Sequence, residues 1–227
     1  EHVTVTQSSS AGVYVTGTTS NPTLNDVTVS NNTGIGLNIG DGSTATVNGL
    51  TATGNGGFAI SQFAATTFGV LNGLVASGNG TDAIEIRGGL TGATTTWKKA
   101  ALDYVVTGDL TVQGSATAIL TIEPGVTVKF LPSTALNVGT GAPGGLQALG
   151  TEAAPILFTS AQASPARGAW KGLYFRGNTI AGTKVAWATV SWAGATNGGG
   201  IRADRSSPTL EHVTVTQSSS AGVYVTG

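Results

Sequence analysis

Apolar residues recur two positions apart in short runs along this chain, with Thr, Ser or another small side chain between them. Val213-Thr214-Val215-Thr216 is one such run. Val27-Thr28-Val29-Ser30, Leu50-Thr51-Ala52-Thr53, Leu74-Val75-Ala76-Ser77, Ala188-Thr189-Val190-Ser191 and Ile156-Leu157-Phe158-Thr159 are others. A period of two predicts strands with one buried face. No stretch sustains the 3.6-residue period of a helix. A corner rich in Gly, Asn and Ser follows each run, and then a second, shorter strand. The second strands are read as Leu173-Tyr174-Phe175, Ile201-Arg202-Ala203, Val223-Tyr224-Val225, Leu37-Asn38-Ile39, Phe58-Ala59-Ile60 and Ile84-Glu85-Ile86. Their outer residues are apolar and expected inside; the middle residue is expected to face out. Gly precedes all of them except the last, where Ala83 stands, which suits a sharp corner or a close backbone approach.

The spacing of these runs predicts the architecture. Counted from Val3, the pattern returns 24 residues on at Val27, 23 further at Leu50 and 24 further at Leu74. A strand-corner-strand unit of about 24 residues cannot bury its apolar side alone, so neighbouring turns must do it for one another. The expected fold is all-β: a right-handed parallel β-helix, or β-solenoid, with equivalent residues stacked ~4.8 Å apart into ladders. A second repeat lies above the first. EHVTVTQSSSAGVYVTG occupies residues 1–17 and again 211–227, an offset of 210 residues with every position identical. The chain therefore reads as a window, permuted, on a 210-residue repeat, and as a segment of something longer.

The stretch 104–175 carries YVVTGDLTV, LTIEPGVTVKF, LNVG, LQALGTEAAPILFTS and WKGLYF. These motifs, above all Ile122–Phe130 and Gly150–Ser160, resemble the opening turns of right-handed parallel β-helix repeat domains of bacterial extracellular and cell-surface proteins. The resemblance implies a pectate-lyase-like solenoid scaffold, which carries lyases, tailspikes and adhesins alike. It also implies boundaries: 1–89 as the last turns of one module, 90–103 as an inter-module joint, and 104–227 as the first turns of the next. In the joint, Trp97 is expected either to plug the end of the preceding stack, with Lys98 and Lys99 solvated, or to pack on a neighbouring strand. With roughly eight turns per module, the ends of a module would lie ~40 Å apart, which favours modules continuing end to end.

Composition narrows the function. Charged residues are 9% of the chain and the net charge is −1, with no basic run or face to neutralise phosphates, so no nucleic-acid partner is expected. There is no Cys, which excludes disulfides and thiolate metal sites. No apolar run approaches the roughly 18 residues of a membrane span. No dinucleotide or Walker-type glycine loop is present, and no cofactor is expected.

Candidate chemistry is sparse. The carboxylates are Glu1, Asp26, Asp41, Asp82, Glu85, Asp103, Asp109, Glu123, Glu152, Asp204 and Glu211. β-Helix enzymes acting on acidic polysaccharides need such groups clustered on neighbouring turns, for calcium or for acid–base work. Aligning the turns puts Trp187, His212, Asp26 and Gly49 in one column, so a His–Asp contact between turns is weighed against an ordinary cross-strand pair. Arg202, Asp204 and Arg205 share a loop, and Glu85 and Arg87 share a strand face; both read as surface ion pairs. Thr189, Thr214, Thr28 and Thr51 align in one outward column ending at Val75, and Ser191, Thr216, Ser30, Thr53 and Ser77 in a second. Paired Thr columns are similar to those of ice-binding solenoids, although Thr is also a common exposed strand residue. Tyr174, Tyr224 with its repeat Tyr14, Trp187 and Trp192 are expected either to be exposed or to be buried under the 161–169 and 176–184 segments.

The reading that follows is a structural, non-enzymatic solenoid at the bacterial cell surface or outside the cell, forming a fibre, stalk or adhesin. Its partners would be copies of itself end to end, with cell-surface polysaccharide as a further ligand. A polysaccharide-binding or polysaccharide-cleaving β-helix is the alternative, and ice binding the third. Besides Trp97 and the Thr column, the assembly candidates are Val213, Val215, Val223 and Val225, which lie on the duplicated turn.

Overall fold

A computed structural model of the chain describes residues 2–40, 42–196 and 198–227, with the backbone alone for 67–70. Glu1 and Asp41, two of the carboxylates considered above, lie outside the described residues. The described residues form strands, turns and bends, with no helix, and so no helix long and apolar enough to cross a membrane. The chain divides into two compact units, 1–87 with 100–104, and 88–99 with 105–227.

Unit 1 holds β1 (Val3–Thr6), β2 (Val13–Val15), β3 (Thr23–Ser30), β4 (Leu37–Ile39), β5 (Thr44–Thr53), β6 (Phe58–Phe63), β7 (Thr67–Ser77) and β8 (Thr81–Arg87). β1, β3, β5 and β7 form one parallel sheet, and β2, β4, β6 and β8 pair in parallel as another ladder. The register is the one the spacing predicts: Val3↔Val27, Val27↔Leu50 and Leu50↔Leu74 are direct neighbours. Inward residues such as Val29, Leu37, Leu50 and Ile60 are essentially inaccessible to solvent.

One second strand is corrected by two residues. Leu37 pairs with Ile60, and Ile60 with Ile84, so the partner of Leu37-Asn38-Ile39 is Ile60-Ser61-Gln62 and not Phe58-Ala59-Ile60. Ala59 is buried instead of facing out. The reason is corner length. Leu37, Ile60 and Ile84 each stand seven residues beyond the last paired residue of the preceding strand, Ser30, Thr53 and Ser77. The Gly that precedes Phe58 belongs to the corner itself. There Gly56 is required by contact: a Cβ on it would lie 2.1 Å from the carbonyl oxygen of Thr33 on the turn before. Gly56→Ala should therefore force the two turns apart, and loss of protection of the neighbouring amides in hydrogen exchange is the expected readout.

Unit 2 holds β9 (Gly89–Thr91), β10 (Thr95–Trp97), β12 (Leu110–Val112), β13 (Ala118–Ile122), β14 (Thr127–Phe130), β15 (Ala135–Val138), β16 (Gly144–Leu149), β17 (Ile156–Ser160), β18 (Gly172–Phe175), β19 (Lys184–Ser191), β20 (Ile201–Asp204), β21 (Thr209–Thr216) and β22 (Val223–Thr226), while β11 (Tyr104–Val106) begins at the last residue of unit 1. The solenoid here is three-sided. One side is β9-β12-β15-β18-β20-β22. A second stacks β10, β13 and β16, and a third stacks β14 and β17. β19 serves both of the latter: its first half pairs with β16 and its second half with β17. The bend between the halves falls at Trp187, whose φ of 47° is left-handed. β21 bends likewise at His212 (φ 50°), and in unit 1 Asp26, Gly49 and Gly73 hold the same place with φ of 50°, 80° and 60°. The column aligned from sequence is thus a line of left-handed corners. L-residues pay about 1–2 kcal/mol there relative to glycine.

The stretch 90–103, read from sequence as a joint, contributes β9 and β10 to unit 2, where they start the ladders on β12 and β13. Trp97 is buried on β10, opposite Ile122.

Candidate functional site

The side β15-β18-β20-β22 carries an outward column, Asn137–Tyr174–Arg202–Tyr224, in direct register. The strands end one residue further on at a corner, where Gly139, Arg176 and Asp204 follow Val138, Phe175 and Ala203. This stacking, and not sequence proximity alone, brings Arg176 to the loop that holds Arg202, Asp204 and Arg205. Arg176 Nη1 is 3.6 Å and Arg202 Nη2 3.8 Å from Asp204 Oδ2, and Arg205 Nε is 3.4 Å from Asp204 Oδ1. Thr140, Gly177 and Asn178 complete the walls of an open concavity over the cluster. Arg176 lies over the Tyr174 ring at 5.1 Å and Arg202 over the Tyr224 ring at 5.5 Å from the centroid.

Three guanidiniums share one carboxylate, so the corner has an excess of positive charge. Planar guanidinium forks match a carboxylate or sulfate bidentately. Tyr224 is 42% exposed beside them and offers a ring face to a sugar. The loop ion pair expected from sequence is therefore a three-arginine cluster; Arg176 was missed because it lies a full turn earlier, and the strand register was the signal that could have found it.

The other expected groups are distributed differently. Tyr174, expected among the exposed aromatics unless covered, is buried, its hydroxyl donating to the carbonyls of Lys171 and Thr196. Trp187 is half-buried and stacked on His212 at 4.0 Å. Trp192, also half-buried, sits at a left-handed corner. The His–Asp contact considered above does not form at His2: its Nε2 lies 3.3 Å from the hydroxyls of both Thr4 and Thr28. Glu211 is engaged by Lys184, whose ammonium holds the carboxyl below its ordinary range by hydrogen bond and charge. Among the described residues no three His, Cys, Asp or Glu side chains gather closely enough to hold a metal ion.

The Thr columns are in register but short. Thr4, Thr28 and Thr51 lead to Val75 in unit 1, and Thr189 and Thr214 follow Leu157 in unit 2. The second column is corrected at Ser191, which is buried, its hydroxyl on Thr159 at 2.8 Å and its carbonyl accepting from the Trp170 indole at 2.8 Å. Val213 and Val215 are half-buried, whereas Val223 and Val225 are exposed.

Glu85 and Arg87 are likewise more than a surface pair. Arg87 donates to Ser61 Oγ at 2.9 Å and to Asn38 Oδ1, Ser61 Oγ donates to Glu85, and the guanidinium lies 4.7 Å from the Phe63 centroid. The network ties β4, β6 and β8 together across the face.

Sequence inspection missed a ladder at the corner of unit 1. Asn32, Asn55 and Asn79 recur with the strand spacing, and that recurrence was the available signal. Asn32 Nδ2 donates to Asn55 Oδ1 at 2.8 Å, and Asn55 Nδ2 to Asn79 Oδ1 at 2.7 Å. Ser8 N donates to Asn32 Oδ1 at one end, and Asn79 Nδ2 to Asp82 Oδ1 at the other. The Asn79 side-chain hydrogen bond, with the amides of Asn79 and Gly78, holds the Asp82 carboxyl below its ordinary range. Asp82 is thus more acidic folded than unfolded. Its contribution is complete above the unfolded value and disappears as pH falls through the lowered one. Thermal melts of the parent and Asp82→Asn should differ at neutral pH and converge below about pH 4.

No curated protein and no solved structure matches the chain. Two families do: the right-handed β-helix region over residues 1–116, and the pectate-lyase-like β-helix domain over residues 88–221. The parallel registers, the 24-residue turns and these two matches together establish that the chain belongs to the right-handed, pectate-lyase-like β-helix family.

Proposed function

We propose that this chain is a structural solenoid, outside the cell or at its surface, that builds a fibre or stalk by continuing end to end. The observation that carries this reading is the duplicated turn. In unit 1 it is covered on the side of the following turn, by β3 and β4; in unit 2 it is covered on the side of the preceding one, by β19 and β20. One sequence therefore supports pairing on both of its edges, as a module that adjoins its own copy requires. Electron microscopy of the purified chain tests it. Filaments with an axial repeat near ~40 Å are expected from the number of turns and the strand spacing. Particles that stay single at every concentration would defeat the reading.

The arginine cluster favours a second role, binding of an acidic polysaccharide. The family includes enzymes, and Arg176, Arg202 and Tyr224 form the surface on which a uronate chain would lie. Titration with a uronic-acid oligosaccharide should show saturable binding that weakens at least tenfold in Arg176→Ala and falls with added salt. Unchanged binding in that variant would remove the cluster from the account. Release of unsaturated or reducing ends from the same polymer would turn the binding role into a catalytic one.

A further inference from the structure

His2–Gly17 and His212–Gly227 are the same sequence in two settings. Their conformations agree where the corner is most demanding, with Gln7 and Gln217 both left-handed at φ of 60° and 54°. Their neighbours differ. In unit 1, Val3 pairs with Val27, Val13 with Leu37, and Ser8 N donates to Asn32 Oδ1 at 2.9 Å. In unit 2, Val213 pairs with Ala188 and Val223 with Ile201. Each setting leaves bare what the other covers. Val15 is 7% exposed against Ile39, while its counterpart Val225 is 70% exposed.

We propose that Glu211–Gly227 of one molecule takes the seat that residues 2–17 occupy on β3 and β4 of a second molecule, so that the joint is one shared turn instead of two stacked copies. The inference rests on the end-to-end reading and specifies its partner surface, a second copy of this chain. Every contact at the seat is reproduced, because the incoming side chains are identical to those displaced. Val213 lies on Val27, Val223 on Leu37, and the amide of Ser218 on Asn32 Oδ1. The exchange also gains what neither setting has: both edges of the turn become paired, and Val225 becomes buried as Val15 is. Simple stacking would instead lay Val213 against Val3, a pairing that occurs in neither unit, whereas both junctions of the shared turn already exist within the molecule. Exchange of an identical element between protomers is a low-cost route to assembly.

Cysteine pairs in this Cys-free chain separate the possibilities. Thr4 and Thr28 are direct neighbours, and adjacent strands ~4.8 Å apart bring Cα atoms within disulfide range. Under exchange, Thr214 of one molecule faces Thr28 of the next; under simple stacking it faces Thr4. T28C/T214C should therefore give a ladder of covalent oligomers on non-reducing electrophoresis, several-fold stronger than T4C/T214C. T4C/T28C should close within one molecule, proving the site oxidisable, and should block assembly until reduced. Adding Val225→Asp to T28C/T214C should weaken the ladder at least tenfold while the melting temperature holds, since that side chain is exposed before exchange. A ladder from T4C/T214C alone overturns the shared turn and leaves the fibre intact. No ladder from either pair, with T4C/T28C closing normally, overturns both.

Discussion

Trp170→Ala should destabilise unit 2 by about 3–5 kcal/mol, the range for truncating a fully buried large aromatic. Trp170 has no solvent exposure, stacks on Phe130 at 4.0 Å with an interplanar angle of 5°, and donates its indole N–H to the Ser191 carbonyl. It stands near the end of the long segment between β17 and β18, so the ring is what fastens that segment over the strands. Truncation removes the packed ring, opens a cavity and leaves a buried carbonyl without its donor. Trp170→Phe should recover most of the packing and none of the hydrogen bond. Because a solenoid melts by neighbouring units, the informative measurement is hydrogen exchange resolved by strand, with the largest loss in β17, β18 and β19. A global change below about 1 kcal/mol would show that the segment is held by something else.

Asn55→Ala is expected to have the second largest effect, about 3 kcal/mol, from orphaned buried groups. Asn55 is 1% exposed and sits at the middle of the asparagine ladder. Its Nδ2 donates to Val29 O at 3.0 Å and to Asn79, and its Oδ1 accepts from both the amide and the side chain of Asn32. Alanine leaves donors above and acceptors below unanswered in a place too tight for easy solvation. Asn79→Ala should cost less, since Asn79 is half-buried and water can replace part of what is lost. Equal losses in chemical denaturation of the two variants would argue that the ladder is not the source of the effect.

The fold was legible because a solenoid repeats its own instructions. The alternation in Val27-Thr28-Val29-Ser30 and its return at Leu50 and Leu74 fixed strand, face and register together, and all three pairings are found. The error at Phe58-Ala59-Ile60 came from weighting Gly57 over distance along the chain; corner length is set by backbone geometry, whereas a glycine can occupy several corner positions. Ser191 and Tyr174 were misplaced for a different reason. Alternation says which way a side chain leaves its strand, but what covers it there depends on the irregular segments carrying Trp170 and Thr196, whose paths no periodicity encodes. The arginine cluster lay between these cases. Its loop half was visible, and Arg176 was recoverable only after register was known.

The left-handed line through Trp187 and His212, and through Asp26, Gly49 and Gly73, has a consequence for how such a chain diversifies. It works as a crease in a folded sheet. The backbone must turn there on every layer, yet the side chain at the turn leaves the core altogether. The five layers hold an indole, an imidazole, a carboxylate and two bare hydrogens without disturbing the ladders on either side. Such a crease can accept new chemistry one layer at a time, at a conformational cost that each layer bears alone.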